Sequence, residues 1–174
     1  MIFMKEILYI LIILKNMDIK YGYMGIGYHL ILINLPLAFI FIIINFIFFP
    51  SLIFRGFIFM TAGLILIIAG FFIVIFSLKS LLNGIKNNKL VRDGLYKYVR
   101  HPLYVGWIFF IIPGIILLLG LDLFSMIFFT SIISLKFLIK REEKSLEQQF
   151  GSEYAKYKKE VNAFIPKIKF ERKK

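Results

Sequence analysis

The stretch from Phe57 to Leu78 contains no charged residue, and it reaches the length of about 20 apolar residues that a helix needs to cross a bilayer. Leu30–Phe49 and Leu103–Gly120 are also uncharged, and Leu123–Ile139 contains one charged residue, Lys136. The whole chain is 60% hydrophobic with a mean hydropathy of +0.83, well above a typical soluble domain. We therefore predict an all-α, polytopic helical membrane protein.

The number of crossings depends on the beginning of the chain. Met1–Leu14 is short and contains two charged residues, so it is either an interfacial helix or a fifth span, and it lacks the cleavage site of a signal peptide. We predict four to five transmembrane helices, a C-terminal helical hairpin formed by the last two, and a cytoplasmic amphipathic tail. Residues 1–174 form one integral membrane domain, with the N-terminal spans in 1–82 and a polar core in 83–166.

Basic residues indicate the orientation. Six lie between Lys79 and Arg100, and twelve lie from Lys136 to the end of the chain. The connections on the other side carry only Arg55 and Asp122. The positive-inside rule places the Lys79–Arg100 loop and the tail in the cytoplasm.

The net charge of +12 suits a surface that binds anionic lipid head groups. We expect no nucleic acid partner, since no recognition motif accompanies the charge. The chain has no cysteine, which excludes thiolate-ligated metals, and we predict no metal site.

One polar segment lies just before the third span, in residues 90–106. Pro102 disfavours helical geometry at His101 and suits the first turn of the following helix. Gly94 permits a turn with positive φ, and Tyr96 and Tyr104 offer aromatic rings nearby. We expect His101 at the N-terminus of the third span.

A second polar segment follows the fourth span. Glu142, Leu146 and Phe150 share one helix face by their four-residue spacing. Gly151 predicts the end of that helix, and Ser152 predicts the cap of the next one.

The hairpin brings the two segments together. Pro102 to Gly120 is eighteen steps and Asp122 to Glu142 is twenty, so both arms are about 30 Å long at about 1.5 Å per residue. Glu142 therefore returns to the level of His101. Taken singly, these residues also suit a helix cap, an aromatic belt and a solvated helix face. Their spacing predicts a polar site at the cytoplasmic face without defining a reaction.

Both segments resemble the C-terminal core of the isoprenylcysteine carboxyl methyltransferase family and of related phospholipid methyltransferases. The first segment carries Leu90-Val91, Gly94-Leu95-Tyr96 and Arg100-His101-Pro102-Leu103-Tyr104-Val105-Gly106, and the second carries Glu142-Glu143, Leu146, Phe150-Gly151, Tyr154, Tyr157, Val161 and Pro166. The chain departs from the family at Asn88, where His is common, and at Leu138, where an Arg one turn before the first Glu is thought to handle the acceptor.

The resemblance implies S-adenosylmethionine as cofactor and a lipid or prenylated acceptor within the bilayer, which would make 83–166 a cofactor-binding core. The implied cofactor-binding residues are Lys89, Leu90, Val91, Tyr96, His101, Pro102, Leu103, Tyr104, Glu142 and Glu143. The implied catalytic residues are Arg100, His101 and Tyr104, and the acceptor-binding residues are Lys140, Arg141 and Trp107.

Three alternatives remain. A phospholipid N-methyltransferase would need a base for its amine, and His101 is the nearby candidate. A sterol reductase would bind NADPH, although such proteins usually have an acidic residue at the position of Trp107. A membrane module of the same fold could also lack catalysis.

Overall fold

The computed structural model describes residues 25–48, 56–120 and 125–167. Its helices are α1 (Gly25–Phe48), α2 (Phe57–Lys86), a short 3₁₀ helix (Gly94–Lys97), α3 (Pro102–Leu119) and α4 (Ser125–Glu160). No strand occurs in these ranges, which confirms the all-α prediction. The predicted Met1–Leu14 segment and the Asp122 turn lie outside the described residues.

Three of the described helices are long and apolar enough to cross a membrane: His29–Phe48, Phe57–Lys86 and Pro102–Leu119. They correspond to the first three predicted spans. α4 is described from Ser125 onward. Its apolar part is short, because the charged residues Lys136 and Lys140 follow. The fourth crossing therefore stays a prediction, as does the division at residue 82, which falls inside α2.

Glycines set the close packing of α2 against α3. A Cβ added to Gly63 would lie 2.7 Å from the carbonyl oxygen of Gly114, and one added to Gly70 would lie 3.0 Å from that of Gly106. Small residues at such positions let two membrane helices approach closely. This contact fixes α3, and with it the residues at its first turn.

α3 is not a uniform α-helix. Its segment Val105–Ile111 is π-helical, between α-helical Pro102–Tyr104 and Ile112–Leu119. Pro113 follows the π segment; in a regular α-helix its ring would collide with the carbonyl of Phe109. A wider turn just before the proline relieves that collision. The apolar pattern of the sequence did not predict it.

α4 breaks at Gly151, where φ is 54° and ψ is −127°, as the glycine predicted. The chain beyond the break returns to the loop before α3. The backbone N–H groups of Arg100 and His101 donate to the carbonyls of Asn162 and Ala163 at 2.9 and 3.1 Å. The tail is therefore hydrogen-bonded to the residues at the start of α3.

Candidate active site at the start of the third helix

His101 occupies the N-cap position of α3, with φ −127° and ψ 60°, and Pro102 follows in the first turn. Both the position and the proline geometry were predicted. His101 is 4% exposed, and its ring centre lies 5.9 Å from that of Tyr104, one turn later. The start of α3 thus presents an imidazole and a phenol side by side in a buried position.

Glu142 reaches this position from α4. The Tyr104 hydroxyl donates to Glu142 Oε2 at 2.9 Å, and His101 Nδ1 lies 3.6 Å from Glu142 Oε1. The predicted return of Glu142 to the level of His101 is therefore confirmed. The contact joins the two polar segments of the sequence into one site.

Glu143 lies on the other side of the imidazole. It forms ion pairs with Arg100 and, at 2.9 Å, with Lys158, and it lies 3.5 Å from His101 Nε2. Burial favours the protonated carboxyl, but the hydrogen bonds from His101, Lys158 and Arg100 outweigh it and lower the pKa of Glu143 to about 2. This carboxylate stays charged at neutral pH.

The same carboxylates act on His101. Burial lowers the pKa of the imidazole, but Glu142 and Glu143 raise it more strongly, so that it lies above the ordinary 6.5. The two carboxylates therefore favour the protonated form of the imidazole.

Arg100 is held by the tail as well as by Glu143. Its Nη1 donates to the carbonyls of Lys158 and Val161 at 2.9 and 2.7 Å. These carbonyls end the last helix, where a positive charge is favourable. The guanidinium therefore ties the tail to the start of α3.

A cavity of about 550 Å³ opens beside these groups. Its lining includes ten of the predicted site residues: Lys89, Leu90, Val91, Tyr96, Arg100, His101, Leu103, Tyr104, Trp107 and Glu142. Pro102 and Glu143 do not belong to this lining, although Glu143 contacts His101, which does. Lys140 and Arg141 are exposed and do not line the cavity, because they lie on other faces of α4 than Glu142.

Sequence reasoning did not include several lining residues in the site. Leu146 and Phe150 continue the Glu142 face, and Tyr154 and Tyr157 follow the break in α4. Their four- and three-residue spacings were a usable signal. The sequence gives no such signal for Asn34 and its neighbours on α1, because nothing in it indicates which face of α1 meets α4.

The buried tyrosines are neutral. Burial, assisted by the negative charge of Glu142, raises the pKa of Tyr96, and burial likewise raises the pKa values of Tyr154 and Tyr157. Tyr157 donates to the carbonyl of Tyr96 at 2.6 Å. The phenol rings thus form an uncharged wall beside the carboxylates. The fold and site together define a helical membrane protein with a ligand-sized, mainly apolar cavity that has polar groups at one end.

The model of the isoprenylcysteine carboxyl methyltransferase (ICMT) family matches residues 57–148. The match covers more than half of the chain, including α2, α3 and Glu142. The chain belongs to this family, as the two polar segments predicted. A methyltransferase family implies a methyl donor.

Curated relatives agree with the family match. The chain is 41% identical over 86 residues to a protein-S-isoprenylcysteine O-methyltransferase of Schizosaccharomyces pombe, covering 48% of the chain and 35% of the relative. It is 38% identical over 89 residues to that of Xenopus laevis, covering 48% and 29%. It is also 34% identical over 84 residues to a methanethiol S-methyltransferase of Crocosphaera subtropica, covering 46% and 30%. The chain spans about a third of the length of these relatives, and no solved structure gave a significant match.

Proposed function

We propose that this chain is a methyltransferase that uses S-adenosylmethionine and methylates a membrane-embedded acceptor, resembling protein-S-isoprenylcysteine carboxyl O-methyltransferases. The observation that carries the proposal is the shape of the cavity. One end is lined by charged and phenolic groups at the start of α3, and the other by apolar side chains of the membrane helices. Such a cavity suits two ligands that meet end to end, one polar and one apolar.

The residues at the polar end fit the cofactor. A cavity of about 550 Å³ lies in the usual range for small-molecule sites. The Tyr154 hydroxyl is buried and has no hydrogen-bond partner among the described residues, so the site retains bonding capacity. S-adenosylmethionine supplies a reactive methyl group on a sulfonium cation, to which phenol rings are attractive neighbours. Glu142, Tyr96 and Tyr104 would hold this cofactor.

The charges along the cavity favour a carboxylate acceptor. Its described lining contains two permanent cations, Lys89 and Arg100, and one carboxylate, Glu142. This excess of positive charge favours a carboxylate over a protonated amine. An amine acceptor must also lose a proton before it reacts, whereas a carboxylate does not.

The membrane side of the cavity supports an acceptor with an apolar tail. Trp107 and Leu35 line the cavity and are nevertheless 46% and 61% exposed, so they lie where the cavity opens toward lipid. The residues deeper along α3 are apolar, among them Ile108 and Ile112. Methyl transfer depends mainly on positioning, and this chain would hold the tail so that its reactive end lies near Glu142.

We also propose that the site faces the cytoplasm. The loop and tail that form it carry most of the basic residues of the chain, which favours the inner face. Anionic head groups would then surround the opening.

The test is methyl transfer by the full chain in vesicles, with S-adenosylmethionine labelled on the methyl group. S-farnesyl-N-acetylcysteine, phosphatidylethanolamine and methanethiol are offered separately, and the products are identified by mass. We expect a base-labile methyl ester of the first. Glu142→Gln should lose most of this activity, and Glu153→Gln, at an exposed carboxylate, should keep it. Absence of a methylated product from all three acceptors would refute the proposal.

A further inference from the structure

Three polar side chains meet between α1, which is long and apolar enough to span a membrane, and the apolar part of α4. Asn34 Oδ1 accepts hydrogen bonds from Ser131 Oγ at 3.0 Å and from Thr130 Oγ1 at 3.2 Å, and Asn34 Nδ2 donates to the carbonyl of Leu30 at 2.9 Å. Polar groups in a bilayer are costly, and they often mark functional positions. Here they also join α1 to α4.

Two of these residues line the cavity. Asn34 and Ser131 belong to its lining, whereas Thr130 does not. We call the part of the cavity lined by α1, by α3 after Trp107 and by the first part of α4 its apolar arm. Asn34 and Ser131 are the two polar residues in the described lining of this arm. The cavity continues one turn deeper, to Ala38 and Ile127.

The position of the pair is given by α4. Ser131 lies eleven residues before Glu142 on an unbroken helical segment, which places it about 16 Å from Glu142 along the axis. A tail whose reactive end lies near Glu142 would therefore meet the pair after about 16 Å. An extended farnesyl chain is close to this length, and a geranylgeranyl chain exceeds it.

A hydrocarbon chain that passes Asn34 would offer no hydrogen-bond acceptor to its side-chain amide. A side-chain amide has two N–H groups, and one bond from Asn34 Nδ2 is found within the described residues. Leaving a polar group unsatisfied in an apolar surrounding weakens binding by about tenfold. A tail that ends above Asn34 avoids this loss.

We propose that Asn34 and Ser131 select the length of the acceptor's apolar tail. The inference rests on the proposed function, because it takes the arm as the acceptor site. It adds that acceptors whose tail ends near Asn34 bind better than those whose tail continues to Ala38.

Binding of a tail series tests the inference without requiring turnover. The purified full chain in detergent is titrated with S-geranyl-, S-farnesyl- and S-geranylgeranyl-N-acetylcysteine, and complexes are quantified by native mass spectrometry. We expect the farnesyl compound to bind tightest and the geranylgeranyl compound about tenfold more weakly. Equal or tighter binding of the geranylgeranyl compound, or no binding of any probe, would overturn the inference.

Variants separate tail selection from helix attachment. Asn34→Leu should remove the tenfold difference, while binding of the farnesyl compound changes less than twofold. Ser131→Ala removes a hydrogen bond that orients the Asn34 amide at the cavity wall and should reduce the difference, because the amide can then turn away from the tail. Thr130→Val is the matched control, because it removes a hydrogen bond to Asn34 outside the cavity and should keep the difference. If Asn34→Leu does not fold, Ser131→Ala alone decides. Loss of the preference in Thr130→Val would show that the hydrogen bonds only hold the helices together. Absence of methyl transfer with an intact tail preference would refute the proposed function alone.

Discussion

The hydroxyl of Tyr104 donates a hydrogen bond of 2.9 Å to Glu142, a residue 38 positions later in the chain. Tyr104 is fixed by the first turn of α3, and Glu142 is fixed by its place on α4. The bond therefore depends on α3 and α4 packing together in the correct register. It also orients the carboxylate that we propose for cofactor binding.

Tyr104→Phe removes this bond and leaves the ring in place. We expect S-adenosylhomocysteine to bind about tenfold more weakly, because a hydrogen bond to a charged group contributes about 1.5 kcal/mol. Isothermal titration calorimetry in detergent measures the change. Tyr98→Phe is the matched control, since Tyr98 is 58% exposed and its variant should bind as the wild type does. Unchanged affinity of Tyr104→Phe would argue against a role for Glu142 in cofactor binding.

Arg100→Gln should release the tail. The variant loses the ion pair with Glu143 and the bonds to the carbonyls of Lys158 and Val161, and it leaves Glu143 partly uncompensated in a buried site. We expect a loss of about 3 kcal/mol in stability and faster amide hydrogen exchange in residues 152–167.

The control for Arg100 is Arg92→Gln. Arg92 forms a long, exposed ion pair of 3.9 Å with Glu153, and such pairs contribute little. Similar exchange in the two variants would mean that Arg100 does not hold the tail.

Glu143 makes the stability of the folded chain depend on pH in the acidic range. Its pKa falls from 4.5 to about 2 in the folded chain, so its contribution to stability is complete above pH 4.5 and is lost as the pH falls toward 2. The stability difference between the wild type and Glu143→Gln should be constant between about pH 6 and 5, where the contribution of His101 is already complete, and should shrink steadily below pH 4.5. Thermal unfolding in detergent across this range measures it. A difference that does not change with pH would contradict the stated ion pairs.

Gly63→Ala should weaken the contact between α2 and α3. The added Cβ would lie 2.7 Å from backbone atoms of both Gly114 and Leu118, and neither can move without shifting α3. We expect a loss of about 1–3 kcal/mol, typical of overpacking, seen as a lower Tm. Gly56→Ala is the control, because nothing lies within 4 Å of its added Cβ. Equal Tm values for the two variants would refute this packing.

The sequence predicted those features that follow from length and spacing. The arm lengths of the hairpin predicted the meeting of His101 with Glu142, and Pro102 and Gly151 predicted the start of α3 and the break in α4. The π segment was not predictable, because seven apolar residues suit either helix type. The bonds from Arg100 to the tail were also missed, since their acceptors are backbone carbonyls and any residue supplies a carbonyl. Asn34 was missed because its pairing with Ser131 depends on how α1 rotates against α4.

Leu138 is the position where the family resemblance leads us to expect an Arg. In this chain Leu138 is 9% exposed and belongs to an apolar cluster with Leu30, Tyr104, Ile108 and Leu135, and it does not line the cavity. Leu138→Arg would place a charge among these side chains without a partner, and we expect a loss of more than 3 kcal/mol in stability and no gain in methyl transfer. Leu138→Met, which preserves the volume, should cost less than about 1.5 kcal/mol. Thermal unfolding and the vesicle assay measure both effects. A stable Leu138→Arg protein with higher activity would mean that the side chain at 138 turns toward the acceptor, which would require α4 to rotate relative to Tyr104.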